Sequence, residues 1–223
     1  MYRVRNMGWI VLGAVMLLLA ACTGAPDAAP VPQEQVQEQP QEEQPQETKV
    51  PMEGLPPTAL EAAASVITAL KDGDMSTLAA WVHPKKGVRF SPYAYVDTQT
   101  DLVFTKDELK VLMEDSKKRV WRTFAGSGEL IEMTYAEYHQ QFVYDADFIK
   151  DAKIAENKSL GQGTTVNNLN EVYPQDSHDF VEYHIEGIDP AVEGMDWRSL
   201  RLVFEKIGDD HALVGIIHDQ WTP

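Results

Sequence analysis

Between Thr23 and Pro57 the chain carries no apolar periodicity, and this stretch confines any folded domain to the residues that follow it. From Pro30 it reads Pro-Val-Pro-Gln-Glu-Gln-Val-Gln-Glu-Gln-Pro, and it continues in kind to Glu47. Such a composition cannot bury enough surface to offset the entropy lost on ordering it. Prolines at 26, 30, 32, 40, 45 and 51 bias it towards extended conformations. Asp27, Glu34, Glu38, Glu42, Glu43, Glu47 and Glu53 stand against a single Lys49, so the segment is repelled by an anionic surface. It reads either as a spacer that lifts a domain off a membrane or as a passive linker without a required length.

What precedes the tract reads as an export signal. Arg3 and Arg5 are followed by an apolar run from Met7 to Leu19, broken only by Gly8 and Gly13. That run is short of the ~20 residues that span a bilayer and suits a signal segment. It ends in Leu19-Ala20-Ala21-Cys22, and Cys22 is the only cysteine in the chain. The four residues resemble the bacterial lipobox. The resemblance implies that the Cys22 sulfur receives a diacylglyceryl group and that the signal is cut just before it. Two acyl chains hold a protein on a membrane where one anchors marginally, at ~0.8 kcal/mol per buried CH₂. An ordinary signal peptide cut after Ala21 and a transmembrane anchor are the other two readings. Lipidation is favoured because the lone cysteine falls where that chemistry needs it. The chain then divides into a signal at 1–21, a lipidated cysteine and linker at 22–57, and one domain at 58–223. It would sit on the outer, extracytoplasmic face of the cell membrane.

Bulk properties remove several function classes. A net charge of −16 and a pI near 4.7 exclude nucleic acid as a partner, since phosphate binding needs a basic stripe. One cysteine excludes an internal disulfide and a zinc site built on paired cysteines. No metal or cofactor is expected.

The domain opens on a helix signature. Thr58 and Glu61 make a capping box, with Leu60, Ala64 and Ile67 expected to share the buried face and a stop near Asp72-Gly73. Asp74 can cap a second helix that carries Leu78 and Trp81 and ends before Pro84. Val88 to Val96 reads as a strand broken, or placed at an edge, by Pro92, and Leu102 to Phe104 as a short strand. Thr105 with Glu108 and Thr134 with Glu137 repeat the box, with Phe104/Leu109 and Met133/Tyr138 at the staple positions. Leu109, Leu112 and Met113 share one face, and Tyr135, Tyr138 and Phe142 another. Val120 to Phe124 reads as extended, and Gly126-Ser127-Gly128 as a turn. Ala152 to Gln175 is a loop-rich crossing with room for a strand near 164–166. Val181, Tyr183 and Ile185 alternate with Glu182, His184 and Glu186, the pattern of a half-buried strand. Leu200, Leu202 and Phe204 alternate with Arg201 and Glu205, and a turn at Gly208-Asp209 follows. Ala212 to Ile217 is nearly all apolar and predicts a central strand covered on both sides.

Helices followed by antiparallel strands predict an α+β domain. That order resembles the curved, cystatin-like roll of ketosteroid isomerase and nuclear transport factor two, in which an amino-terminal helix packs in the concave face of an antiparallel sheet. Two strings, His83-Pro84-Lys85-Lys86-Gly87-Val88-Arg89-Phe90-Ser91-Pro92-Tyr93 and Gly194-Met195-Asp196-Trp197-Arg198-Ser199-Leu200-Arg201-Leu202-Val203-Phe204, and the ending His218-Asp219-Gln220-Trp221, resemble uncharacterised lipoproteins of Bacillus-type bacteria. That resemblance brings no activity and assigns no functional residue.

Candidate chemistry is sparse. There is no Gly-x-Ser-x-Gly elbow, His-Glu-x-x-His, P-loop or dinucleotide fingerprint. His218, at the end of the last strand, is a candidate general base at the mouth of a roll. Asp219 faces the other way, so its partner must come from elsewhere, for example Asp196. Asp196-Trp197-Arg198 could grip a carboxylate or a sugar, or form a structural corner. His83, Arg89 and Tyr93 could line the same mouth, although His83 also suits the end of the second helix. Asp145, Asp147 and Asp151 lack the ligand set of a calcium loop and read as a solvated face. The sequence therefore favours a non-catalytic module that binds a small ligand, a wall fragment or an envelope protein. The alternative is a lyase, isomerase or hydrolase with His218 as base and Arg198 or Arg89 holding substrate. A third reading is a structural partner in an envelope assembly, marked by an exposed aromatic patch. Convergence of His218, Asp196 and Arg89 on a deep cavity would favour the enzyme.

Overall fold

The computed structural model describes residues 57–161, 163–187 and 189–223. Cys22, the apolar run before it and the acidic tract lie outside the described residues. No helix among the described residues is long and apolar enough to cross a membrane.

All three capping boxes form. Thr58, Thr105 and Thr134 each accept from the backbone of the glutamate three residues on, and each glutamate accepts from the threonine N–H at 2.8 Å. They start α1 (Ala59–Asp72), α3 (Lys106–Lys110) and α4 (Tyr135–Phe142). Asp74 caps α2 (Met75–Trp81), and Gly73 ends α1 in the left-handed conformation. The buried face of α1 is not the expected one. Leu60 and Ala64 point to solvent, and Ala59, Ala62, Ala63, Val66, Ile67, Ala69 and Leu70 are buried. The small alanines bring the helix backbone close to its neighbours, which a reading weighted by side-chain size does not see.

The strands are β1 (Val88–Ser91), β2 (Val103–Phe104), β3 (Arg119–Thr123), β4 (Leu130–Met133), β5 (Lys153–Glu156), β6 (His178–Ile185), β7 (Arg198–Ile207) and β8 (Asp210–Gln220). Six of them form one sheet in the order β2-β1-β8-β7-β6-β5, and β3 and β4 form a separate hairpin. The large sheet is antiparallel except where β1 runs parallel to β8. A bulge between Val203 and Phe204 shifts the β7–β8 register, which bends the strands. The domain is α+β, with the helices on the concave face of a curved sheet. As expected, β8 is central, and Pro92 stops β1. The 152–175 crossing carries β5, α6 (Leu169–Val172) and no strand near 164–166. A short helix, α5 (Phe148–Asp151), precedes β5.

The concave face is filled with side chains. Leu200, Leu202, Phe204, Val181, Tyr183 and Ile216 meet Phe90, Trp121, Tyr135, Tyr138 and Phe142 in one buried cluster. Trp121 stacks on Tyr138 at 3.8 Å, and Phe90 meets the Trp121, Tyr135 and Tyr138 rings edge-on.

The opposite face departs from the alternating pattern in β6 and β7. Glu182 and Arg201 are fully buried and Asp219 nearly so, beneath the 157–173 crossing. Arg201 donates to both Glu182 oxygens (3.1 and 3.2 Å), to Asp219 Oδ2 (2.9 Å) and to the Gly161 carbonyl (3.3 Å). Glu182 in turn accepts from the Leu160 and Gly161 N–H groups. Removing Arg201 would strand two buried carboxylates. Arg201→Met is therefore expected to cost about 4 kcal/mol, whereas Thr134→Ala, which removes one cap, costs about 1 kcal/mol. Urea unfolding of the two variants measures the difference.

Candidate functional site

An open polar hollow of about 500 Å³ lies at one end of the sheet, lined by Glu137, Gln140, Gln141, Asp145, Arg198 and Gln220. Glu137, Gln140 and Gln141 are the exposed flank of α4, whose other side carries the buried Tyr135, Tyr138 and Phe142. Arg198 opens β7 and pairs in register with Gln220, the last residue of β8. Asp145 sits between α4 and α5, where the chain turns back towards those strand ends.

Asp145 is the hub. Its Oδ2 accepts from Arg198 Nη1 at 2.8 Å, and its carbonyl accepts from the same nitrogen at 3.2 Å. Nε and Nη2 of Arg198 turn to the Asp196 carbonyl, both at 3.3 Å. His218 lies beneath, fully buried, with Nε2 3.2 Å from Asp145 Oδ2 and the Phe142 ring against it at 5.9 Å. That 3.2 Å contact has the distance of an ion pair but does not meet hydrogen-bond geometry. Asp145 Oδ1 is buried and has no hydrogen-bond partner among the described residues. Burial pushes the Asp145 carboxyl up. His218 and Arg198 outweigh it and hold the group below the ordinary value of 3.8. The result is a carboxylate held in place by Arg198, with His218 packed against the same oxygen. The three glutamine amides around it can each donate and accept.

The candidate residues do not converge. His218 meets Asp145 instead of Asp196, whose Oδ2 accepts from the Asp189 N–H at 2.8 Å. Arg89 points to the opposite face of the sheet and donates to the Asp97 and Asp101 carbonyls. Tyr93 is buried against Phe142, and its hydroxyl accepts from the Ala125 N–H. His83 lies at the other end of the sheet, where Nδ1 accepts from the Lys85 and Lys86 N–H groups and Nε2 is 3.5 Å from Glu205. Trp197 packs over Gly161 and Gly163 on the crossing side. Of the set, Arg198 alone lines the hollow. Asp145, Asp147 and Asp151 are divided among cations: Asp147 pairs with Lys71 at 3.1 Å and Asp151 with Lys150 at 3.3 Å. No cluster of three metal-ligating side chains occurs among the described residues.

No protein-family model matches the chain, and no curated protein matches it. Solved structures similar to it include an NTF-2-like protein of unknown function from Shewanella oneidensis, with 10% identity over 72% of this chain and 95% of that one, at a TM-score of 0.32. Aln2 from a Streptomyces species is 11% identical over 74% of this chain and 93% of that one, at 0.32. A domain of unknown function with a cystatin-like fold from Nostoc punctiforme is 12% identical over 71% and 72%, at 0.30. At such identities the likeness is one of fold alone.

The Asp145 shift has a pH consequence. A carboxylate depressed in the folded state stabilises the fold above its ordinary pKa and loses that contribution as pH falls through the folded value. At neutral pH Asp145→Asn is expected to be about 3 kcal/mol less stable than wild type, near the lower end for a broken buried pair because asparagine keeps the shape. The gap closes below pH 3.8, the ordinary value for the group. Thermal unfolding across pH measures it.

Proposed function

We propose that this protein is a membrane-anchored extracytoplasmic binding module that holds a polar ligand, such as a wall fragment, in the Asp145 hollow. One observation carries the reading. The concave interior is packed with aromatic side chains, while the exposed amides of Gln140 and Gln141, with Gln220 and Arg198, line an open polar hollow around the fixed Asp145 carboxylate. The anchor reading is supported by Leu19-Ala20-Ala21-Cys22 and by the acidic tract behind it. A catalytic His218 remains the second reading. It is supported by the Asp145 contact, which would stabilise an imidazolium, and opposed by a ring with no solvent exposure for a substrate to reach.

Two measurements test the proposal. Labelled fatty acid is expected in the wild-type protein and absent from Cys22→Ser; equal labelling of both removes the anchor. Muropeptides from digested wall are expected to shift the side-chain amide resonances of Gln140, Gln141 and Gln220. Gln141→Ala, on an exposed flank, should leave stability unchanged and weaken binding roughly fivefold, the value of one hydrogen bond. Silence of all three amides removes the ligand site.

A further inference from the structure

An open groove lies at the other end of the sheet, where the described domain begins. It measures about 270 Å³. The end of α2 and the loop after it bound one side, through Trp81 and Pro84, and the β7–β8 turn bounds the other, through Ile207 and Asp210. Pro57 is itself part of the wall. Its carbonyl accepts from His211 Nδ1 at 2.9 Å, which fixes the place where the preceding residues join the domain. Trp81 is half-buried, Pro84 is exposed and Ile207 is 41% exposed, so the groove presents apolar surface. Lys106 lines it on the α2 side. Its ammonium donates to the Ala80 carbonyl at 3.4 Å and makes no ion pair among the described residues.

The sequence that leads to this groove changes character just before it. From Gln37 to Lys49 there is no valine, isoleucine, leucine, methionine or aromatic residue, and then Val50, Met52 and Leu55 follow within a few positions. Leu55 stands before Pro56 and Pro57, and proline restricts both its own backbone and that of the residue before it to extended, polyproline-like conformations. Ordering these residues therefore costs less entropy than ordering the glutamines and glutamates upstream. A polyproline ribbon repeats every three residues and rises about 3.1 Å per residue, which would put Met52 and Leu55 on one edge and Leu55 about 6 Å from Pro57. Segments of this kind dock in grooves lined by aromatic rings. Charge sets the path: Glu53 is attracted to the Lys106 side and repelled by Asp210 on the other.

We propose that the groove is occupied by residues 50–56 of this same chain, with Leu55 set between Trp81 and Ile207 and Glu53 beside Lys106. The docking rests on neither the anchor nor the ligand reading, but it bears on both. It fastens the base of the linker to the end of the domain remote from the Asp145 hollow, which leaves that hollow facing away from the attachment. The test is limited digestion of the full-length protein in detergent with a glutamyl endopeptidase, with the fragments timed by mass spectrometry. Cutting after Glu53 is expected to be at least roughly tenfold slower in wild type than in Ile207→Lys, an exposed variant that spares the fold and leaves the cleaved sequence as it is. Cutting after Glu38 and Glu43 should proceed alike in the two. Leu55→Ser is expected to shift the Trp81 indole N–H resonance, and Val36→Ser to leave it in place. Equal cutting after Glu53 in wild type and Ile207→Lys, or a Trp81 resonance unmoved by Leu55→Ser, overturns the docking. Protection that fades on dilution assigns the groove to a second copy of the chain and overturns it as well. None of these readouts touches the Asp145 hollow, so failure here leaves the ligand site standing.

Discussion

The structure depends on one fully buried guanidinium held between two carboxylates. Arg201 joins β7 to Glu182 on β6 and to Asp219 on β8, and through Gly161 to the crossing that covers all three strands. Removing such charges from water costs several kcal/mol per ion, and their attraction offsets this only when nearly every donor is met. A packed apolar face could hold the strands equally well, so the network's particular contribution is to fix where the crossing lies. Glu182 accepts two backbone N–H groups from that crossing, and a Cβ on Gly161 would stand 2.5 Å from Ser199 Oγ. Only glycine lets the backbone come so close. The two carboxylates share the cation unequally. Burial pushes both up; Arg201 and its hydrogen-bonding neighbours bring Glu182 below its ordinary value, and Asp219 stays above its own.

This network also bears on where polar chemistry is left open, at the ends of the sheet. Both faces of the central strands are committed, one to aromatic packing and the other to the buried charges. Among the described residues, polar groups that remain available include those where β6 ends, β7 begins and β8 ends. Ile185, Arg198 and Gln220 meet there, with Asp145 turned in from the helical layer.

Much of the architecture was legible in the sequence because it rests on local chemistry. The Thr-x-x-Glu boxes, the Asp74 cap, the stop at Pro92 and the apolar run of β8 each act within a few residues, and each appears where the spacing puts it. The exceptions are tertiary. Glu182 and His184 alternate with apolar residues as solvent-facing positions do, yet a crossing with weak periodicity of its own buries them. The helical face of α1 was misplaced because alanines, not its leucine at position 60, make the contact. At the candidate site, Arg198 was legible as a charged residue opening a strand. Asp145 and the three glutamines were not, because nothing near them in sequence reveals that α4 ends beside the last residues of β8.

The parallel pairing of β1 with β8 sets the order in which the molecule can be completed. Arg89 to Ser91 lie beside Gly215 to Ile217, so β1 cannot join the sheet before β8 is present. A nascent polypeptide can form its capped helices early, but it cannot close the sheet until β8 has been made. Until then β1 and β2 lack the strand that joins them to β7, β6 and β5.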